Sequence, residues 1–170
     1  MKKHIPSVVL VALVCVGLSA GPAFSAAPGN TKKVTFSSKY SGKASLLINN
    51  GKATISSITG SGKNSLFGAS KVSGSGSAAA SQQCDPFGGK GSIAGGANKI
   101  TFIVTRSSSQ QGCANGESGP VTVTFHGVAV ATGGNGKANG ATGSLKLGGT
   151  SGSQDGSFTV TLSGTLTVKG

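Results

Sequence analysis

The chain has no tryptophan, one tyrosine, one methionine and only three acidic residues, Asp85, Glu117 and Asp155, in 170 positions. Arg106 is its single arginine. With so few carboxylates and two histidines, little is available to converge at hydrogen-bond distance for acid–base catalysis. The one Gly-x-Ser-x-Gly match, Gly17-Leu18-Ser19-Ala20-Gly21, lies in the apolar N-terminal segment, and no such nucleophile elbow occurs after residue 25. Without tryptophan, and without aromatics interleaved among the lysines, a nucleic-acid reader built on base stacking is excluded. Sustained three-to-four-residue apolar spacing is missing too, because glycine or serine interrupts almost every window that could have become a helix.

What is present begins with an export signature. Lys2, Lys3 and His4 precede a short uncharged apolar run, Val8 to Leu18, and Ala23-Phe24-Ser25 supplies small residues at the positions a signal peptidase reads. Residues 1–25 are therefore expected to be a cleaved signal peptide of bacterial type, with Ala23 an alternative cleavage point. A run of about eleven residues is too short to cross a ~30 Å hydrocarbon layer as a helix. Cys15 lies inside this run, and Val14 precedes it where a lipoprotein would have a small residue, so it is read as a passive member of the signal. The organisation expected is a flexible start over 26–31 and one domain over 32–170, with no transmembrane segment after cleavage.

The processed chain keeps Cys84 and Cys113 alone. In an oxidising compartment an isolated pair predicts a disulfide. A metal site lacks ligands, since His126 is the only other soft donor left. No metal and no cofactor are expected.

Side chains alternate at period two along most of the sequence. Phe158, Val160, Leu162, Leu166 and Val168 share one face, and Ser157, Thr159, Thr161, Ser163, Thr165 and Thr167 the other. Val34, Phe36 and Tyr40 mark a first strand, Leu46 and Ile48 a second. Asn50-Gly51, a favoured hairpin turn because both central residues take φ > 0, leads into Ala53 and Ile55. Ile100, Phe102 and Val104 share a face, as do Val121, Val123 and Phe125; Leu145 and Leu147 mark a shorter strand. An apparent phase change to Val128 and Val130 predicts a bulge at His126-Gly127. The stretch from Gly60 to Ala80 holds few large apolar residues, and Gly74-Ser75-Gly76-Ser77 reads as a weak strand or a flexible loop. The fold class predicted is all-β: an antiparallel barrel of about eight strands, with a β-sandwich as the alternative.

The run Gly133-Gly134-Asn135-Gly136-Lys137-Ala138-Asn139-Gly140-Ala141-Thr142-Gly143 resembles the Gly-Gly-x-Gly-(Lys/Arg)-aromatic-x-x-Ala-x-Gly signature near the end of allene oxide cyclase and dirigent barrels. Secreted bacterial proteins of unknown role carry a similar element. The resemblance spans Thr132 to Val168 and implies an eight-stranded antiparallel barrel with an apolar interior. It carries no catalytic residue across, and Ala138 stands where that family usually places a large aromatic that plugs the barrel.

Two clusters are candidates for function. Five Gly-Lys dipeptides place Lys43, Lys52, Lys63, Lys90 and Lys137 next to turn-like glycines, and none is followed by the Ser or Thr of a P-loop. Gathered at one end, these lysines would form a ring for an anionic polysaccharide or envelope polymer. Spread out, they protect strand edges and keep the surface soluble. Without Lys2 and Lys3, 13 basic residues face three acids, a formal charge of +10, which favours anionic partners. Asp85, Glu117 and His126 form the second candidate, a polar site beside the cysteines. As solvated loop acids and a surface histidine they would do nothing catalytic. The expected function is a secreted, non-enzymatic β-domain that binds anionic glycans. A barrel holding a small apolar ligand or steering its reaction is the alternative, and a structural surface protein the third.

Overall fold

Alternation commits most of the chain to extended backbone, and the pairings close into a ring. A computed structural model describes residues 29–115 and 121–170. Residues 1–25, expected to be a signal peptide, and Cys15 and Glu117 lie outside them. Nine strands occur among the described residues: β1 Thr31–Asn49, β2 Lys52–Asn64, β3 Gly68–Ala79, β4 Cys84–Gly95, β5 Asn98–Val104, β6 Gln111–Asn115, β7 Thr122–Asn135, β8 Gly143–Gly152 and β9 Ser157–Lys169. One 3-10 turn, Gly136–Ala138, interrupts them.

All neighbours are antiparallel. The order runs β3-β2-β1-β9-β8-β7-β5-β4, and β4 pairs with β3 to seal the wall. β6 takes up the place beyond the end of β5, bonded to β4 on one side and β7 on the other. The result is a closed eight-stranded barrel with one short additional strand, rather than a sandwich. Its outer surface carries the hydroxyl row of β9 and most of the lysines. Phe36, Tyr40, Ile93, Ile100, Phe102, Leu145, Phe158, Leu162 and Leu166 point inward and are buried.

Aromatics fit inside the ring where glycines stand opposite or beside them. Directly paired positions are Phe36 with Gly164, Phe158 with Gly42, Tyr40 with Gly62, Phe102 with Gly91 and Phe125 with Gly149. A Cβ at Gly149 would approach Phe125 Cζ to 2.6 Å, and one at Gly62 would come 2.8 Å from Tyr40 Cδ1. Tyr40, Phe102 and Phe125 thus occupy the space a side chain on the paired glycine would need, and Phe158 does the same over Gly60, which is how glycine in a strand permits close approach.

Several local expectations change. Leu46 and Ile48 belong to the same strand as Val34, because β1 runs through Gly42 without a turn. It then reaches Asn50-Gly51, whose φ values of 48° and 68° form the expected hairpin turn. The bulge predicted at His126-Gly127 is absent: β7 pairs with β8 in unbroken register, with Ala129 and Ala131 inward and Val130 outward. Small inward alanines between larger outward valines misled the phase reading. The irregularities lie elsewhere, at Ser56-Ser57 in β2 and at Thr132 in β7. The first lets Ile55 and Ile58, three residues apart, face the same interior. Gly60 to Ala80 is paired strand on both sides of one turn, with no flexible loop at Gly74–Ser77.

One end of the barrel is sealed by the glycine-rich run. Ala138 and Ala141 are fully buried against the core, and Thr142 exchanges two backbone hydrogen bonds with Thr167 at 2.9 and 2.8 Å. Ala138 packs closely on Gly134, where an added Cβ would lie 3.1 Å from its own. Above this floor, Tyr40, Asn64 and Ser70 tie β1, β2 and β3 together. Tyr40 Oη lies 2.8 Å from Ser70 Oγ, and Asn64 Nδ2 donates to Tyr40 Oη at 3.1 Å and to Ser70 Oγ at 2.8 Å.

Candidate functional site

The other half of the barrel is hollow. On β3 the inward positions after Val72 are Gly74, Gly76 and Ala78; on β4 they are Phe87, Gly89 and Gly91. Gly74 pairs with Gly91 and Gly76 with Gly89, so two successive rungs of the wall project no side chain inward. Ala44 on β1, Ala53 on β2 and Ala114 on β6 add further small walls. Larger residues on β2, β7 and β9, among them Ile55, Val123 and Val160, line the remainder.

The space left is about 540 Å³. It falls in the ~300–1,000 Å³ range of small-molecule sites. Phe87 and Phe125 meet edge to face, with centroids 6.2 Å apart, across the part of the wall that β6 occupies. The cavity reaches the surface at Ile48, Ala80, Gln82 and Gln83, which line it and are exposed. Of the polar residues that border it, Gln82, Gln83, Asp85, Ser151 and Ser153 lie near this mouth, while Ser73, Ser75, Ser77 and Lys90 alternate with the inward glycines of β3 and β4.

The disulfide joins Cys84 and Cys113, a directly opposed pair on β4 and β6, and so pins the short strand to the wall of the cavity. A disulfide fits an oxidising, extracellular type of compartment.

Asp85 is not the solvated acid expected from its turn-rich surroundings. It is buried, and it accepts hydrogen bonds from the backbone N–H groups of Ser81 and Gln82, both at 2.9 Å, and from Ser81 Oγ at 3.2 Å. The Gln82 amide, against the opposing pull of burial, and then the Ser81 donors hold its carboxyl below the ordinary range. A carboxylate so occupied folds the β3–β4 connection back on itself and has little capacity to move a proton. His126 is exposed on the outer face of β7, paired with Gln111 and Gly148. It and Asp85 do not share a site. Among the described residues no group of three or more metal-ligating side chains is brought together.

The five candidate lysines are also separated. Lys52 stands at the open end, Lys63 and Lys137 at the sealed end, and Lys43 and Lys90 on the outer wall between. Lys43 is held by Asp155, its Nζ 2.8 Å from the backbone oxygen and 3.3 Å from Oδ2. Lys63 is opposed by Lys39, not by another of the five.

Sequence reasoning missed the cavity walls. Their signal is the alternation Val72-Ser73-Gly74-Ser75-Gly76-Ser77-Ala78, which keeps the period of a strand while its inward residues shrink to almost nothing. Comparison of the chain with family models, with curated proteins and with solved structures finds no match.

Proposed function

We propose that this protein is exported, and that it binds a small apolar or singly polar-ended molecule in the open half of its barrel without transforming it. The observation that carries the reading is the 540 Å³ hollow walled mainly by glycine, alanine and branched or aromatic carbon, with Gln82, Gln83, Asp85, Ser151 and Ser153 near its mouth. Water in such a space has few partners, so its replacement by hydrocarbon is favourable at ~25 cal/mol per Å² of apolar surface removed from solvent. Gln82 and Gln83 at the rim supply donors and acceptors for one polar end of the ligand. Asp85, the carboxylate on the cavity lining, is already engaged by its own loop, which supports binding over catalysis. The apolar interior is also what the resemblance to cyclase and dirigent barrels implies. Dispersal of the five lysines removes the ring on which an anionic-glycan site was to rest, so the interior supports function better than the surface charge does.

The test is titration with N-phenyl-1-naphthylamine, a neutral dye that fluoresces in apolar surroundings, followed by displacement with alkanols of increasing length. Saturable binding is expected, with Ala78→Phe weakening it at least about tenfold by filling the space beside Phe87. Absence of saturable dye or alkanol binding by the wild-type protein overturns the reading.

A further inference from the structure

The cavity opens beside the most apolar exposed feature of the molecule. Leu47 and Ile48 are 65% and 60% exposed, the two highest values among the large apolar side chains described. They are consecutive, and they sit at the tip of the β1–β2 hairpin. On its β9 side the tip stands clear: the last rung joining β1 to β9 is Lys43–Ser157, and β1 continues to Asn49 beyond it, while on the other side β3 accompanies β2 to Lys52–Ala79. Isolated exposed leucines need no explanation, but two adjacent ones at a hairpin tip form a wedge that costs solubility.

The two side chains divide their faces. Ile48 lines the mouth of the cavity, and Leu47 does not. Apolar side chains therefore lead from the interior to Ile48 at the rim, and Leu47 presents a second one on the opposite face of the same tip. The adjoining charge is positive. Lys52 follows the turn and is exposed, while the one ion pair among the described residues, Lys43–Asp155, already occupies the nearby carboxylate. A hydrophobic tip with a cation behind it matches the boundary of an anionic lipid layer, where side chains enter the acyl region and lysine stays among headgroups.

We propose that the β1–β2 hairpin tip docks on an anionic lipid surface, with Leu47 and Ile48 inserted and Lys52 at headgroup level, and so presents the cavity mouth to the lipid. This rests on the apolar-ligand reading for its purpose, but the docking itself is measurable without it. Ligand would pass between lipid and cavity along the Ile48 face without crossing water.

Flotation of the protein with vesicles of phosphatidylcholine, alone or mixed with phosphatidylglycerol, tests the docking. Association with the mixed vesicles is expected. Leu47→Ser should reduce it about tenfold, and Lys52→Gln about fivefold. Because Leu47 is outside the cavity, L47S should bind the naphthylamine dye in vesicle-free solution as the wild type does. Conversely, A78F should lose the dye and still float.

No flotation with either vesicle overturns the proposal. So does flotation that L47S leaves unchanged, which would assign it to general positive charge. A concentration-dependent dimer in vesicle-free solution that L47S dissolves would make the tip a contact between copies of this chain, and overturns the lipid assignment as well. Wild-type flotation sensitive to L47S, together with no dye binding, would sustain the docking and remove the ligand reading alone.

Discussion

Phe102 stands directly across the β4–β5 pair from Gly91, and its ring fills the space that a side chain at 91 would need. A Cβ there would come 2.7 Å from Phe102 Cζ and 2.8 Å from the Ser73 carbonyl oxygen. Gly91→Ala should therefore cost about 1–3 kcal/mol as an overpacking change. Phe102→Ala, which empties a buried site, should cost about 3–5 kcal/mol. The double variant should cost less than the sum, because removing the ring frees part of the room the methyl needs. Urea denaturation of the four proteins measures the coupling. Strict additivity would show that ring and glycine do not share space.

The buried trio Tyr40, Asn64 and Ser70 should respond unequally. Asn64 Oδ1 accepts from the backbone N–H groups of Leu66 and Phe67, both at 2.9 Å, while its amide nitrogen donates to Tyr40 and Ser70. Asn64→Ala orphans two main-chain donors at the β2–β3 turn, while Tyr40 Oη and Ser70 Oγ keep their bond to each other. Each newly unsatisfied buried group costs about 1–3 kcal/mol. Tyr40→Phe leaves the Asn64–Ser70 bond and the turn intact, so its cost should stay near ~1 kcal/mol. Thermal melts that rank Tyr40→Phe as the more damaging change would reassign the trio's main role to the phenol.

The limits of the sequence reading have physical causes. Strands such as β9 and β5 were legible because large inward residues alternate with hydroxyls, and Asn50-Gly51 because its turn geometry needs those two residue types. β3 was obscure because an inward face of Gly74, Gly76 and Ala78 carries no hydrophobic signal, although a paired neighbour keeps it extended. The phase error in β7 has the same origin, since Ala129 and Ala131 face the core while bulkier Val130 faces out. Hollow barrels hide their function from composition: the wall around a cavity must be small where a packed core would be large. Asp85 was misplaced because a turn sequence reads as solvated, and only the fold shows that its acceptors are consumed by Ser81 and Gln82.

The disulfide couples stability to the cavity. Cys84 and Cys113 are 29 residues apart, and closing a loop of that length stabilises by about 3–4 kcal/mol in the chain-entropy model. β6 is only five residues long, and its Gly112 and Ala114 line the hollow. Reduction, or the paired change Cys84→Ser and Cys113→Ser, should lower the melting temperature and weaken naphthylamine binding together. A large fall in melting temperature with unaltered dye affinity would show that β6 holds its place by backbone pairing alone.

Acid should act through Asp155. The Ser157 backbone N–H at 2.9 Å and its hydroxyl at 2.7 Å, outweighing a small desolvation, and then Lys43 lower its pKa from 3.8 to about 2. A carboxyl with a depressed folded-state pKa contributes stability that is complete above its unfolded value and disappears as pH falls through its folded value. The window here is therefore pH 4 down to about 2. Asp155 closes the β8–β9 turn against Lys43, whose neighbour Ala44 also donates its N–H to the Gly156 carbonyl at 2.7 Å. Protonation should loosen this turn. Urea midpoints measured from pH 7 downward should hold until about pH 4 and then drop, and Asp155→Asn should flatten part of that drop while leaving the portion due to Asp85. An Asp155→Asn profile that still parallels the wild type through the whole window would remove the turn carboxylate as a source of acid sensitivity.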